Sequence, residues 1–212
     1  MSQKDEWSET ARNLYDAAAE RAKGLPLHIY ECEPQEVSLF EDAIKKLKSN
    51  KPRMIELGCA EAQYSHIFWK ATGGTNVCLD ILPRQIGVAK KYCPNAEFIH
   101  GYVGEKVHHQ EIKEDNYGAK KIPLDSLISE SKRVDILHMD IQGAEEQTTQ
   151  ELKEKELYQF IDYLFISTHK NHLNVLKHIP EEFKIIFDKD NIAMNDGLIV
   201  ARNPNYEGEI SE

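Results

Sequence analysis

The chain from Arg53 onward alternates short apolar runs with longer stretches of mixed polarity. Five of the runs have the length of a buried strand: residues 54–57, 76–80, 96–100, 134–140 and 163–167. Such alternation predicts an α/β fold with a parallel sheet and helices on both faces. Two more apolar runs, residues 184–187 and 197–201, lie too close together for a helix to separate them. They predict a closing antiparallel pair at the edge of the sheet.

The first fifty residues have a helical period instead. Apolar residues recur at spacings of three and four in two stretches: Trp7, Ala11, Leu14, Tyr15 and Ala18, then Val37, Phe40, Ala43, Ile44 and Leu47. This spacing predicts two amphipathic helices. We expect a helical extension or lid over residues 1–50, the main α/β domain over residues 51–205 and a flexible tail over residues 206–212. The apolar helix faces also leave a homodimer open.

Composition limits the class of protein. The 212 residues are 41% hydrophobic, enough for a core without disulfides or metals. A formal net charge of −10, with basic residues interspersed among acids, predicts that the partners are neither nucleic acids nor membrane surfaces. No apolar run reaches the roughly 18 residues of a membrane span, and charges interrupt the start of the chain, so we expect a cytoplasmic protein. The scattered cysteines are expected to be reduced and mostly buried: Cys32, Cys59, Cys78 and Cys93.

The segment after the first strand is typical of a cofactor-binding turn. In Glu56-Leu57-Gly58-Cys59-Ala60-Glu61-Ala62, small residues alternate and bring backbone N–H groups close to a ligand before a helix begins near Gln63. The G-x-G-x-x-G pattern of dinucleotide-binding folds is missing, which disfavours NAD and FAD.

An acid follows at the end of the second strand. Asp80 comes 22 residues after Gly58, where a carboxylate can accept both hydrogen bonds of a ribose diol. The alternative is a helix N-cap ahead of Pro83, since Asp is a favoured capping residue. The two roles are compatible.

The strand at residues 134–140 breaks into polar residues and glycine before another helix. Asp140 should lie at its carboxyl end, where ligands bind in open α/β sheets. A carboxylate there can orient the ammonium group of a cofactor, remove a proton from an acceptor hydroxyl or join a divalent-cation site. The residues alone leave these three roles open.

The next strand ends in Ser167-Thr168-His169, which would place His169 beside Asp140 if the strands are neighbours. An imidazole that titrates near neutral pH suits proton removal, so His169 is the candidate base. Structural or exposed roles are expected for the other nearby candidates: His108, His109, His138, His172, His178, Glu145 and Glu146.

Several sequence blocks resemble a known family. Ile122-Pro123-Leu124-Asp125-Ser126-Leu127, followed by residues 135–145, resembles the signature of FkbM-type methyltransferases. Three downstream blocks are similar to the tail of a bacterial branch of that family: residues 166–169, Asp196-Gly197 and Arg202-Asn203-Pro204. The resemblance spans residues 50–205.

The resemblance implies a Rossmann-like class I methyltransferase fold, with a mostly parallel seven-stranded sheet, an antiparallel C-terminal strand and helices on both faces. It also implies S-adenosylmethionine as methyl donor and transfer to a hydroxyl oxygen, commonly on sugars or natural products. The family's motifs fall on these positions: Glu56, Gly58, Ala60, Asp80, Asp140, Thr168 and His169. Ala60 and Ala62 stand where the family usually has glycines, and their methyl groups should narrow the turn.

We hypothesise that the methionine part of the cofactor lies over residues 58–60, its ribose on Asp80 and its adenine near residues 100–103. The expected cofactor contacts are Glu56, Gly58, Cys59, Ala60, Tyr64, Ser65, Asp80, Ile81, Gly101, Tyr102 and Asp140. The expected substrate contacts are Gln142 and Thr168, and the expected catalytic residues are Asp140 and His169. The acceptor oxygen must lie in line with the sulfonium–methyl bond, about 3 Å from the methyl carbon.

Three alternatives stay open. A divalent cation such as Mg²⁺, held by Asp140 with His169 or Asp196, would bind a sugar diol and acidify its hydroxyl. A binding or scaffold protein would keep the sheet without the chemistry, and a nicotinamide-dependent reductase is a second enzyme class. The expected partner is a small-molecule or carbohydrate acceptor, neutral or aminated because the chain is acidic.

Overall fold

The computed structural model describes residues 34–107, 110–111, 118–193 and 196–206, and the statements below concern those residues. Several predictions fall outside them: the first amphipathic helix, the tail beyond residue 206, Cys32, His108 and His109. The chain divides into two compact units between Lys46 and Leu47, close to the boundary expected at residue 50.

The first unit contains helix α1 (Pro34–Ile44). Proline suits the first turn of a helix because its φ is already fixed, and Glu36 is favourable near the positive end of the helix dipole. Val37, Phe40 and Ala43 lie at helical spacing and are buried. This helix corresponds to the second of the two predicted amphipathic segments.

The second unit is a sheet surrounded by helices. Its elements in chain order are β1 (Arg53–Leu57), α2 (Gln63–Thr72), β2 (Thr75–Asp80), α3 (Pro83–Tyr92), β3 (Glu97–Tyr102), β4 (Lys106–Val107), β5 (Gln110–Glu111), β6 (Lys120–Lys121), α4 (Leu124–Leu127), β7 (Val134–Met139), α5 (Glu145–Glu154), a 3₁₀ helix (Leu157–Phe160), β8 (Ile161–His169), α6 (His172–His178), β9 (Lys184–Ala193) and β10 (Asp196–Arg202). Strands β4 and β5 pair with each other, apart from the main sheet.

The main sheet has the strand order β6-β3-β2-β1-β7-β8-β10-β9. Neighbours from β6 to β8 are parallel, and β10 is antiparallel to both β8 and β9. The predicted α/β fold, with its mostly parallel sheet and antiparallel C-terminal strand, is confirmed. The sheet has eight strands rather than seven, because the two-residue β6 pairs with the end of β3. Two residues are too few to produce a recognisable strand pattern.

The central strands are apolar because they are covered on both faces. All six residues of β7 are buried, as expected for a parallel strand with neighbours on both edges. Ile55, Leu137 and Leu164 lie side by side on β1, β7 and β8 and belong to one core cluster. Burial of such side chains favours the folded state by about 2–3 kcal/mol each.

The parallel strands all end on the same edge of the sheet. The carboxyl ends of β1, β2, β3, β7 and β8 therefore bring together the turns that carry the candidate residues. None of the helices in the described ranges is long and apolar enough to cross a membrane.

A polar cluster ties down the last described residues. Asp162, at the start of β8, accepts a hydrogen bond from the Nε of Arg202 at 3.2 Å. The hydroxyl of Tyr206 lies 3.5 Å from Oδ1 of Asp135, and Tyr206 is buried. Tyr206, the last described residue, is therefore packed against the α/β unit.

Candidate active site

The turn after β1 requires glycine at its first position. Gly58 has a φ of +74°, a left-handed conformation that glycine adopts without strain. A β-carbon there would overlap the carbonyl oxygen of Asp140. The N–H of Asp140 in turn donates to the carbonyl of Leu57 at 3.0 Å. The turns after β1 and β7 are thus packed together, so Asp140 lies directly beside the predicted cofactor turn.

The same turn holds two alanines in left-handed conformations. The φ angles are 42° for Ala60 and 56° for Ala62. The left-handed region costs a residue with a β-carbon roughly 1–2 kcal/mol. The methyl groups of the two alanines are expected to narrow the turn, and their left-handed backbone conformation also strains it.

Asp80 braces this turn. Its Oδ2 accepts the N–H of Ala60 at 2.9 Å, and its Oδ1 accepts the N–H of Leu82 at 2.7 Å. Leu82 is the residue before α3, so Asp80 supports the helix start by binding the N–H of the cap residue. Burial raises the pKa of Asp80, although both N–H bonds favour the carboxylate. Each oxygen keeps a second lone pair, so a ribose contact stays a prediction.

Three residues predicted to contact the cofactor are buried: Glu56, Tyr64 and Ser65. Glu56 is 2% exposed, and its Oε2 accepts the N–H of Ser65 at 3.1 Å. Ser65 is fully buried, and the ring of Tyr64 stacks on His138 with centroids 4.2 Å apart. Glu56, Tyr64 and Ser65 are therefore buried residues that support the turn from within, and a cofactor contact at each of them stays a prediction. His138 is a core residue, as interpreted from its position in the strand.

The third strand shows a packing reason for its glycine. A β-carbon on Gly101 would lie 2.6 Å from the side chain of Ile122 and 2.7 Å from the carbonyl oxygen of Lys120. Gly101 thus allows β6 to approach β3, and the Tyr102 carbonyl accepts the N–H of Ile122 at 2.8 Å. An adenine contact at Gly101 or Tyr102 stays a prediction.

Two further cofactor candidates have structural contacts. The carbonyl of Ile81 lies 3.1 Å from Nε2 of His100. Cys59 is buried in a small cluster with Cys78 and Cys93, and all three are free thiols. The expectation of reduced, buried cysteines is confirmed for these three. The side chain of Cys59 faces the core, so only its backbone remains a candidate for ligand contact.

The densest polar group surrounds His169, at the end of β8. Its Nε2 lies 2.9 Å from Nε2 of Gln142, 3.4 Å from Oδ1 of Asp140 and 3.8 Å from Oδ1 of Asp196. The amide nitrogen of Gln142 also donates to Oδ1 of Asp140 at 3.0 Å. The predicted neighbours Asp140 and His169 are therefore brought together, with Gln142 between them.

The other ring nitrogen binds a residue whose role the sequence did not reveal. Nδ1 of His169 lies 2.8 Å from Oε1 of Glu145, whose side chain has no exposed surface. Glu145 begins α5, as the interpretation of an acid at a helix start requires, and its contact with His169 is a second role. The N–H of Gly143, two residues earlier, donates to both carboxylate oxygens of Glu145, at 3.1 and 3.0 Å.

These contacts change the expected protonation of His169. Burial opposes the charged ring, but the hydrogen bond and charge of Glu145, with the charges of Asp140 and Asp196, raise the pKa of His169 to about 9. This pKa lies above the near-neutral range expected of the imidazole from the sequence. Burial also opposes charge on Glu145, yet its bond to His169 lowers the pKa of the carboxyl below the usual value.

Thr168 has a structural role. It is fully buried, and its Oγ1 lies 2.9 Å from Nδ1 of His172, whose Nε2 lies 2.7 Å from Oδ1 of Asp188. The predicted substrate contact of Thr168 stays a prediction. The structural interpretation of His172 matches these contacts. This hydrogen-bonded chain fixes the turn that follows β8.

A metal site was one alternative for this edge of the sheet. Within the described ranges, no group of three or more histidine, cysteine or acidic side chains has an arrangement that could hold a metal ion. Asp196, the third candidate ligand, is 3.8 Å from Nε2 of His169.

The comparisons with known proteins support the fold. No protein-family model and no curated protein sequence matches the chain, so the FkbM-type resemblance is not confirmed. A putative RNA methyltransferase from Pyrococcus horikoshii has a TM-score of 0.55 at 9% identity, covering 92% of this chain and 99% of that one. A putative O-methyltransferase from Klebsiella pneumoniae has a TM-score of 0.55 at 9% identity, covering 92% and 90%. An rRNA methylase from Streptococcus thermophilus has a TM-score of 0.53 at 12% identity, covering 79% and 96%. The chain has the Rossmann-like methyltransferase fold that these proteins share.

These neighbours also correct one exclusion. The net charge was taken to exclude nucleic acid as a partner, yet two of the similar structures are named for RNA or rRNA methylation. The exclusion is wrong, because total charge does not describe the local surface at a site.

Proposed function

We propose that this protein is an S-adenosylmethionine-dependent methyltransferase that transfers a methyl group to a hydroxyl oxygen. The observation that carries the proposal is the pairing of Asp140 with His169 beside the Gly58 turn. A carboxylate and an imidazole lie 3.4 Å apart at the edge of the sheet where such folds bind their ligands. The neighbours with this fold are named as methyltransferases, which supports methylation in general.

The residues at the β1 turn fit the cofactor. Gly58 and Ala60 lack side chains that would block an approach to the backbone, and Asp80 offers lone pairs to a ribose diol. The N–H of Ala60 already donates to Asp80, so it is not available to the cofactor. When bound, S-adenosylmethionine supplies a methyl group on a positively charged sulfur, which is open to attack from the side opposite that sulfur.

His169 and Asp140 have different roles in the proposed reaction. Asp140, with a side chain 33% exposed and Oδ1 3.4 Å from Nε2 of His169, stabilises the positive charge that the ring gains when it takes a proton. His169 takes the hydroxyl proton on Nε2. Methyl transfer from the bound cofactor would form the oxygen–carbon bond, break the sulfur–carbon bond and leave the electron pair on sulfur, so it would need no oxidant or reductant. Gln142 marks the acceptor position, because its amide nitrogen already contacts both groups.

The acceptor is a sugar hydroxyl in this proposal. A free or glycosidic sugar and the ribose of RNA present the same chemistry, namely a hydroxyl beside a second hydroxyl or ether oxygen. Radiolabelled methyl transfer, tested separately with a panel of sugars and with total RNA, distinguishes the two sources. Labelled RNA would then be digested to nucleosides. Label found on the base rather than on the ribose would contradict transfer to a sugar hydroxyl.

Calorimetric titration with S-adenosylhomocysteine, S-adenosylmethionine and NADH tests the class of enzyme. We expect micromolar binding of the first two and none of NADH. Failure of both sulfur ligands would favour the scaffold alternative, and binding of NADH alone would favour a reductase. Repeating the titration with Mg²⁺ tests the alternative in which a cation assists at Asp140.

A further inference from the structure

Glu145 is a completely buried carboxylate surrounded by donors. Its Oε1 accepts the N–H of Ile141 at 3.2 Å, and both of its oxygens accept the N–H of Gly143, at 3.1 and 3.0 Å. Its Oε2 also accepts the side-chain amide of Asn171 at 3.1 Å. The contact to Nδ1 of His169, at 2.8 Å, completes the set.

Such a set keeps the carboxyl ionised. A buried carboxylate is costly unless donors and an opposite charge compensate it, and here backbone N–H groups, an amide and an imidazole do so. An ionised carboxylate only accepts hydrogen bonds. The ring nitrogen that faces Glu145 must therefore carry a hydrogen, whatever the state of the other ring nitrogen.

We propose that Glu145 is a positioning residue that holds the His169 ring in the Nδ1–H tautomer, with Nε2 turned toward Asp140 and Gln142. This inference rests on the proposed function, in which Nε2 receives the proton of the acceptor. Without Glu145, the ring can place its single hydrogen on either nitrogen and can rotate about its side-chain bonds. Only one of those arrangements presents a lone pair beside Asp140.

The same carboxylate also joins the two turns that form the site. Ile141 and Gly143 lie in the turn after β7, and Asn171 lies in the turn after β8. The side-chain oxygen of Asn171 accepts the N–H of His169 at 3.2 Å. Glu145 thus holds the turn that carries Gln142, whose φ is 54°, against the turn that carries the proposed base. A positioning role explains both sets of contacts at once.

Nuclear magnetic resonance of ¹⁵N-histidine-labelled protein tests the assignment without an acceptor. The wild-type His169 ring, assigned by loss of its signals in H169N, should titrate near pH 9 and be the Nδ1–H tautomer above that pH. In E145Q the amide oxygen still accepts the hydrogen bond but the charge is gone. The pKa of His169 should then fall by about one to two units while the tautomer persists. In E145A the Nε2–H tautomer should appear.

The matched control is E146Q, one residue further along α5, where the carboxylate accepts only an exposed amide bond from Asn174 at 3.2 Å. Its His169 titration should equal that of the wild type. An Nε2–H tautomer in the wild type, or an unchanged titration in E145Q, would overturn the Glu145 assignment.

S-adenosylhomocysteine serves as the independent probe of the proposed function. Its affinity should change less than about threefold in E145Q, because the hydrogen bonds of the Glu145 carboxylate go to the turns after β7 and β8 rather than to the β1 turn. If the wild type does not bind S-adenosylhomocysteine, the proposed function fails, and the contact between Glu145 and His169 then has no role in methyl transfer. If the wild type binds and only the titration fails, Glu145 alone is misassigned.

Discussion

His169 and Glu145 lie at the ends of different elements, yet the Nδ1 atom of the histidine is 2.8 Å from a carboxylate oxygen of the glutamate. The histidine closes β8 and the glutamate opens α5, so the pair connects the turns after two neighbouring parallel strands. The side chain of Glu145 has no exposed surface, whereas that of His169 is 12% exposed. Of the two side chains, therefore, only the imidazole is exposed to solvent.

The first prediction concerns the pH dependence of methyl transfer. The base must be neutral to take a proton, and the pKa of His169 is raised to about 9. The rate at saturating cofactor should rise by up to tenfold per pH unit below that value and level off above it. Initial rates between pH 6 and 10 measure this, and a profile that is flat across the range would exclude His169 as the base. A cation bound beside the ring would move the rising part of the pH–rate profile to lower pH, since a nearby positive charge lowers the pKa of an imidazole.

Replacing the base gives the second prediction. H169A should lower kcat by about 10²- to 10⁴-fold, the usual contribution of a general base. Binding of S-adenosylhomocysteine should stay within about threefold of the wild type, because the β1 turn is unchanged. The control is H178A at the end of α6, which should keep both values. Equal loss in the two variants would point to damage of the fold rather than of the chemistry.

The third prediction tests the strain in the cofactor turn. A60G removes a β-carbon at a φ of 42° and should raise the free energy of unfolding by about 1 kcal/mol. The matched substitution A71G, on the exposed face of α2, should instead lower it by up to about 1 kcal/mol. Urea denaturation of the three proteins gives the comparison. A destabilised A60G would show that the turn tolerates alanine without strain.

Much of the fold follows from the sequence because parallel strands are buried on both faces. Residues 134–139 are apolar with few interruptions, and all six are buried in β7. The hydrophobic period of a strand and the turn after it are local properties, so both can be seen along the chain. The two-residue β6 is the opposite case, since its pairing with β3 depends on Gly101 rather than on its own sequence.

The candidate site was less predictable, since its geometry depends on which way each side chain turns. Asp140 and His169 could be placed because they end neighbouring strands. Glu145 could not, because an acid at a helix start has an equally good local explanation in the helix dipole. Glu56 shows the reverse case. Its motif position suggests a ligand contact, but its carboxylate accepts the N–H of Ser65 inside the core.

A fourth prediction concerns stability at the opposite edge of the sheet. Burial raises the pKa of Asp162 to about 6, although the charge of Arg202 lowers it in part. This value exceeds the 3.8 of an ordinary aspartate, so the folded state binds the Asp162 proton more tightly than the unfolded state does. The protonated carboxyl therefore stabilises the fold fully below about pH 4, and this contribution is lost as the pH rises through 6. D162N keeps the shape without titrating. Its stability relative to the wild type should therefore rise by about 2 kcal/mol between pH 4 and 7, and a constant difference in urea denaturation would refute the assignment.

The last prediction separates direct proton removal from metal assistance. The amide nitrogen of Gln142 lies 3.0 Å from Asp140 and 2.9 Å from His169, so an N–H donor occupies the place that a cation would need between them. Millimolar EDTA should leave the rate of methyl transfer unchanged, and added Mg²⁺ should not raise it. Q142A removes the amide from this position. The response of its methyl-transfer rate to Mg²⁺ measures whether Asp140 and His169 can hold a cation without the amide between them. A wild-type rate that falls in EDTA and returns with Mg²⁺ would instead favour a cation held by Asp140 and its neighbours, because a Lewis acid then lowers the pKa of the acceptor hydroxyl.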